Sequence, residues 1–455
     1  MSRRPYAGSV FWGLALVAAG AVLLARNIGY DIPIWTGIAT YWPVLLILWG
    51  GAKIVDYIRI RRRGEDRPLF SPGEVVLLIF IMFAGVAISA TTHLSPAFVE
   101  LLEVADIDLW QITGNEYDYT EHYESDAPPG SDIEIVNRYG SVEVIPAEVD
   151  RITVDVRKTI VAETQEDADQ LSEVLTFSIR EEPPGFRIVS TFNRDENTVR
   201  GRRFRTSLTV RVPMESNLRI DNRNGDVSLS GLRGDQAISN AFGEVAVRGI
   251  EGSLDLNNRN GNVAIESVSG SATIENAFAR TEVRNVGGNL AVDTRNGDVD
   301  VSDVNGSATI ENAFASVRAS SILGDLAIRG NNNAVDLENV AGNVEVESAF
   351  QDIRIRDVRG RLRVNNRNGD VNVRFSEIPV EDISISTEFS SVTIEVPSGA
   401  AFSLDLFTRF GEIESDFGLP VAENGPERSL VASVGSAGPT IRIRTRNGNI
   451  RLNRI

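Results

Sequence analysis

The chain has 455 residues, 42% hydrophobic and 24% charged, room for more than one folded domain. It contains no cysteine and two histidines, His93 and His122. That excludes thiol nucleophiles, disulfides, Cys/His zinc sites and any Ser-His-Asp triad away from those two residues. A net charge of −18 argues against nucleic acid as a partner and against general affinity for an anionic bilayer surface, since both rely on clustered Lys and Arg. Lysine occurs only at Lys53 and Lys158, so the positive charge is almost all arginine.

Residues 1–91 read as a membrane anchor. Stretches at about 9–25, 40–57 and 73–91 are apolar over the roughly 20 residues needed to cross a hydrocarbon core. Trp12, Trp35, Trp42, Trp49 and Tyr57 lie in or near the first two, several where an interfacial aromatic belt is expected. Arg3 and Arg4 precede the first span, and Lys53, Arg59, Arg61, Arg62, Arg63 and Arg67 crowd the loop before the third. The positive-inside rule then puts the N-terminus in the cytoplasm and everything after about residue 92 on the opposite side. A cleaved signal peptide is the competing reading of the first span, but no small-x-small exit follows and two more spans do. The run "FWGLALVAAGAVLLARNIGYDIPIW" with "YWPVLLILWGGAKI" resembles the LiaI/LiaF-like transmembrane region of bacterial envelope proteins over about residues 8–62. That resemblance implies a multi-pass protein of the bacterial cytoplasmic membrane, with a sensor histidine kinase as a partner through the helices. Residues 92–130, rich in Asp and Glu and ending in "APPG", read as a solvated acidic linker.

From Asn217 the sequence is a lattice. Gly234, Gly252, Gly270, Gly288, Gly306, Gly324, Gly342 and Gly360 stand 18 residues apart. Counting from each glycine, positions 2, 4, 11, 13 and 16 are apolar, as in Leu254, Leu256, Val263, Ile265 and Val268; only Gln236, Thr281 and Ser376 depart. Apolar residues two apart mark strands with one buried face, and a fixed period marks a solenoid. The fold class expected is mainly β: a parallel β-solenoid (β-helix) with coils stacked about 4.8 Å apart, preceded by three transmembrane α-helices. Charges at neighbouring rungs support the stack, with Asp300, Arg318, Asp336 and Arg354 in one column and Arg248, Glu266 and Arg284 in another.

A recurrent motif, "NRNGDV" at 222–227 and 366–371, "NRNGNV" at 258–263, "TRNGDV" at 294–299 and "TRNGNI" at 445–450, falls between the two strands of a coil. Gly and Asn suit a chain reversal there, so the motif reads as a corner. Intervening coils carry "NAF" or "SAF", which makes a 36-residue alternating repeat and suggests guanidinium stacked over phenyl. "DIEIVNRYGSVEV" at 132–144 looks like a first coil; "ISISTEFSSVTIEV", "LDLFTRFGEIES" and "IRIRTRNGNIRL" continue the stack. Within 151–213, "AETQEDADQLSEVLTF" reads as an amphipathic helix, and "GFRIVSTF" with "FRTSLTVRVP" as a hairpin, an insert that caps or flanks the coils. The pattern "VPMESNLRIDNRNGDVSLSGLRGD" resembles candidate adhesin domains of β-strand repeats from bacterial envelope proteins, over about residues 131–455.

Calcium is weighed because β-roll toxins share the coil length. Position 10, however, runs Asp226, Glu244, Asn262, Arg280, Asp298, Ser316, Ala334, Asp352, Asp370, without an oxygen ligand on every rung. A phosphate loop lacks its lysine and following helix, no carboxylate pair stands out for a polysaccharide-cleaving enzyme, and "RGD" at 233–235 belongs to the glycine lattice. No catalytic residue, cofactor or metal is expected. The remaining site is a row of corner arginines, Arg223, Arg259, Arg295 and Arg367, about 10 Å apart on alternate coils and able to grip an anionic glycan or lipid headgroup. The expectation is a non-catalytic, membrane-anchored envelope protein that displays a solenoid for adhesion, scaffolding or ligand binding, the alternative being a LiaF-like regulator of a sensor kinase.

Overall fold

The computed structural model describes residues 115–147, 149–192, 203–436 and 438–455. The three expected spans and the first part of the linker lie outside these; among the described residues no helix is long and apolar enough to cross a membrane. The chain divides into compact units Met1–Ile112 and Thr113–Ile455, and the described residues belong to the second.

That unit is mainly β, built on two long and largely parallel sheets. In chain order it starts with β1 (Asn115–Asp126), β2 (Ser131–Tyr139), β3 (Val142–Ala147), β4 (Arg151–Ala162), α1 (Gln165–Val174), β5 (Leu175–Glu182), β6 (Gly185–Phe192), β7 (Arg203–Pro213), β8 (Ser216–Asn224) and β9 (Val227–Ser230). β8 and β9 are the two strands of one coil, and each following coil as far as Arg374 repeats them with an 18-residue offset; beyond it the offset becomes 21 residues. Leu218 pairs with Gln236, Gln236 with Leu254 and Leu254 with Ala272 in one sheet; Val227, Val245, Val263 and Thr281 follow one another in the second. In-register pairing sends equivalent side chains to the same face, so both sheets' inward columns merge into one continuous core. The polar exceptions are accommodated. Gln236 is buried and donates its amide to the carbonyls of Ser216 (3.0 Å) and Gly234 (2.9 Å). Thr281 is buried and accepts from Asn276 Nδ2 at 3.1 Å. Ser376 faces solvent, and Phe375 enters the core in its place.

The glycine lattice reflects backbone crowding. A Cβ on Gly270 would sit 2.6 Å from the Gly252 carbonyl oxygen, and one on Gly306 would sit 2.5 Å from that of Gly288. A second column, not singled out in the sequence, makes the other corner. Gly231, Gly249, Ser267, Asn285, Asp303, Ser321, Asn339 and Asp357, at position 15, all have φ between 55° and 70°. The left-handed residue turns the chain so that position 16 re-enters the core. Gly, Asn and Asp take this conformation most easily; serine does so at a cost.

Both ends of the stack differ from the sequence reading. The first coil, β2 with β3, stacks directly on β8 and β9, Asn137 opposite Asn222 and Val142 opposite Val227, with the intervening segment looped out. "GFRIVSTF" and "FRTSLTVRVP" do not pair as a hairpin. β6 pairs antiparallel with β5 and parallel with β2 in one sheet, whereas β7 lies between β4 and β3 in the second. The cause is local: the "LTF" attributed to the helix opens β5, whose alternating residues match β6 from Leu175↔Phe192 onward, leaving β7 to join the second sheet. The acidic linker is corrected too, since residues 115–126 of the segment 92–130 form β1, paired with β4 along its whole length. Tyr117, Tyr119, Glu121 and Tyr123 alternate toward the protein, and the carboxylates find cations: Asp118 with Arg157 (2.6 Å), Glu124 with Arg151 (2.8 Å), and Glu121 with the buried Lys158 (2.5 Å).

At the far end the coils stack out of sequence order. Strand Thr440–Thr445 lies between Ile383–Thr387 and Phe402–Thr408. A strand has two edges, and Glu427–Val434 folds back antiparallel on one edge of Phe402–Thr408, so the last coil takes the other. Antiparallel strands thus close both sheets at the first end and one sheet at the far end, where the other finishes on the short parallel strand Ile413–Ser415; they cover edges that would otherwise invite end-to-end pairing.

Two outcomes follow from this packing. Ser321→Gly should stabilise the fold by about 0.5–1 kcal/mol by relieving a left-handed serine, whereas Gly306→Ala should destabilise it by more than about 2 kcal/mol, both read as shifts in denaturation midpoint. His122, between Asp155 (2.7 Å) and Glu124 (3.1 Å), has its pKa raised by those hydrogen bonds, Asp155 first. Its folded pKa is above the unfolded value of about 6.5, so its contribution is complete below that pH and is lost as pH rises through the folded pKa. Melting temperature should therefore decline slightly on leaving that window upward, and His122→Gln should remove this decline.

Candidate ligand-binding corner

Residues at positions 6 to 9 of each coil join the two sheets along one edge. Position 6 is a buried column: Asn222, Asn240, Asn258, Asn276, Thr294, Asn312 and Asn366 are each at most 5% exposed. Its amides clamp the turn. Asn312 Nδ2 donates to the Gly297 carbonyl of the preceding coil at 3.0 Å and to Ala315 of its own turn at 3.3 Å; Asn366 does the same to Gln351 (3.0 Å) and Gly369 (2.7 Å). Corner backbones also bond to one another, Asn296 N to Ala277 O at 3.1 Å and Phe314 N to Arg295 O at 3.1 Å. The asparagines are therefore structural, and the motif is a corner.

Carboxylates at position 10 are engaged in the same way. Asp226 accepts from the Glu244 N–H (2.8 Å), Asp298 from the Ser316 N–H (3.0 Å) and hydroxyl (2.6 Å), and Asp370 from the Ser391 N–H (3.0 Å). The Ser316 hydroxyl is the chief reason the Asp298 pKa is lowered. A further ladder that sequence reasoning missed runs along position 1. There Asn289, Ser307, Asp325 and Asn343 each accept from the next coil's backbone N–H at 2.7–3.2 Å. The recurrence of Ser, Asn and Asp at that position was its visible signal.

Position 7 carries the predicted arginines. Arg223, Arg259, Arg295 and Arg367 are all exposed on this one edge, and Asn331 stands where a further member would fall. They do not lie over phenyl rings. Among the described residues the guanidinium–ring contacts are Arg409 with Phe410, Arg444 with Phe407 and Arg454 with Phe417. Register explains the difference, because Asn222 pairs with Asn240 and Asn224 with Phe242, which sets Arg223 beside Ala241. Arg367 meets Glu388 at 3.4 Å. Among the described residues the side chains of Arg223, Arg259 and Arg295 make no ion pair or hydrogen bond.

Those three stand apart from most arginines on the sheet faces, Arg219 excepted. Arg318 pairs with Asp300 (3.1 Å) and Arg248 with Glu266 (3.6 Å), as their columns predict. Elsewhere the columns re-pair: Arg356 takes Asp336 (3.2 Å) and Glu338 (3.0 Å), Arg354 takes Asp352 (3.7 Å), and Arg284 takes Glu282 of its own strand. A shallow groove of about 710 Å³ over one sheet face has mixed charge, with Arg363 already held by Glu345 at 3.8 Å. Among the described residues Arg219 and Arg361 are also without an ion pair, but the corner is where three such cations share one edge.

A two-sheet parallel solenoid with structural asparagines and exposed arginines along one corner defines a repeat scaffold. The chain belongs to the Toastrack DUF4097 family, which matches residues 131–453. Residues 10–54 match the LiaI-LiaF-like transmembrane region, so the N-terminal part is a membrane-anchoring segment of that type. Among solved structures the chain is similar to a candidate cell adhesion protein from Clostridium sporogenes, with 8% identity, TM-score 0.15 and coverage of 74% of this chain and 100% of that one. It is also similar to candidate adhesins from Bacteroides fragilis (12%, TM-score 0.19, 74% and 97%) and Parabacteroides distasonis (10%, TM-score 0.17, 74% and 97%). At such TM-scores these likenesses add nothing to the fold, which rests on the family match and the strand register. A search of curated proteins finds no match.

The two kinds of motif residue should separate by mutation. Asn312→Ala, which strips two buried carbonyls of their donor, should cost about 1–3 kcal/mol. Arg295→Ser should change stability by less than about 0.5 kcal/mol. Denaturant titration of both variants checks the contrast.

Proposed function

We propose that this is a non-catalytic envelope protein whose membrane anchor displays the solenoid outside the cytoplasm, where its arginine corner binds an anionic ligand. In this reading residues 1–91 form three spans, at about 9–25, 40–57 and 73–91, with a cytoplasmic N-terminus. Residues 92–114 lead into the solenoid, whose 36-residue alternation repeats the cationic corner on alternate coils except where Asn331 stands. The observation that carries the reading is the set of arginines without partners, Arg223, Arg259 and Arg295, in a molecule whose other outward arginines are largely ion-paired. An exposed guanidinium with nothing to bind contributes little to stability, whereas aligned with its fellows it offers forked donors to carboxylate or phosphate.

The test is binding of polyglutamate and inorganic polyphosphate to the full-length protein in nanodiscs of zwitterionic lipid. Changing Arg223, Arg259, Arg295 and Arg367 to Ser should weaken binding by at least about tenfold and flatten its salt dependence. Unchanged affinity would refute the site. A second reading, regulation of a sensor histidine kinase through the helices, is supported by the LiaI-LiaF-like match. For that reading, a kinase should co-purify with the full chain and be lost when residues 1–91 are replaced by an unrelated anchor.

A further inference from the structure

The same corner carries a row of phenyl rings that the solenoid does not need. Phe278, Phe314, Phe350 and Phe389 are 49%, 58%, 50% and 51% exposed, and Phe410 is 59% exposed. The first three are 36 residues apart, at position 8 of alternate coils. Corner hydrogen bonds join ring-bearing turns to arginine-bearing neighbours: Phe314 N to Arg295 O (3.1 Å), Phe389 N to Arg367 O (3.0 Å) and Phe410 N to Arg446 O (2.9 Å).

Corner geometry does not call for these rings. Asn260, Asn296 and Asn368 occupy position 8 on the intervening coils and make the same turn. At the start of the stack the equivalent aromatic, Tyr139, packs against Phe204 at 5.3 Å and so serves a core. The later rings instead face solvent in line, about 10 Å apart at two coil spacings. Arg295, without a partner, lies between Phe278 and Phe314; Arg259, also without one, lies on the coil before Phe278, and Asn331 stands between Phe314 and Phe350. A line of apolar faces alternating with free cations fits a polymer that repeats both features at that interval. β-Linked sugars offer a flat C–H face for a ring, and an extended disaccharide is close to two coils long. One carboxylate per disaccharide would meet one guanidinium per repeat.

We propose that the Phe–Arg corner is a linear binding site for an acidic polysaccharide with one carboxylate per disaccharide. Sugar faces lie on Phe278, Phe314 and Phe350, and carboxylates lie on Arg259 and Arg295. This rests on the ligand-binding reading of the arginine row and adds the chemical class of the ligand.

The experiment uses the full-length protein in zwitterionic nanodiscs with hyaluronan oligosaccharides as the acidic glycan, polyglutamate as an anion without sugar, and phosphatidylglycerol vesicles. Hyaluronan should bind the wild-type protein. Phe278→Ser/Phe314→Ser/Phe350→Ser should weaken hyaluronan by at least about tenfold while leaving polyglutamate unchanged, and Arg259→Ser/Arg295→Ser should weaken both. If the phenylalanine variant keeps its hyaluronan affinity while the arginine variant loses it, glycan stacking is overturned and the anionic site stands. Absence of hyaluronan binding to the wild-type protein, or phenylalanine-dependent capture of vesicles in its place, also overturns the proposal. Loss of polyglutamate binding in neither variant overturns the arginine site itself.

Discussion

Everything in the solenoid depends on how closely one coil's backbone lies on the next. Strands paired in parallel and in register bring successive coils within about 4.8 Å, so the peptide planes of consecutive turns nearly touch. At such a separation the lattice position tolerates no Cβ, as the 2.5 Å approach at Gly306 makes plain. The corner carbonyls need donors that do not thicken the turn, which the buried asparagines provide from within. The second corner needs a left-handed residue to return position 16 to the core. Each of these columns answers one spacing requirement.

The same requirement leaves some positions unconstrained. Outward residues of the strands can choose partners, and mostly form ion pairs of modest worth. From Arg259 to Phe350, positions 7 and 8 at the Asn-Gly corner project away from both sheets and do not enter the core, unlike Tyr139 on the first coil, which is why Arg and Phe there are informative. Half-exposed rings repeated along one edge present apolar surface to water, the mark of a surface that binds something, and the guanidiniums without partners beside them are solvated donors free for a ligand.

Much of this was legible in the chain. The 18-residue glycine spacing fixed the register, and residues such as Leu254, Leu256 and Val263 named the core because burial on one face repeats at every second residue. Illegible parts lie where the repeat stops. β1 hides in an acidic stretch because its carboxylates are matched by Arg151, Arg157 and Lys158, cations distant in sequence. The pairing of β6 with β5, and the placement of Thr440–Thr445 inside the stack, follow from which strand edges remain open, a non-local fact. The expected arginine-over-phenyl stack failed by one residue of register, since Asn224, rather than Arg223, is aligned with Phe242. The row Arg223, Arg259, Arg295 and Arg367 was visible from period alone, but its lack of partners required coordinates.

The family assignment and the anchor of LiaI-LiaF-like type set this scaffold at a membrane, and the corner supplies the chemistry by which it would recognise a ligand. The most direct check is of the register itself, made simple by the absence of native cysteine. Ser302 and Ser320 lie opposite each other on adjacent coils, outside the core. Ser302→Cys/Ser320→Cys should close a disulfide on mild oxidation, visible on a non-reducing gel, while Ser302→Cys/Glu338→Cys, two coils or about 10 Å apart, should not. Bridging of the second pair in preference to the first would contradict the 18-residue stack.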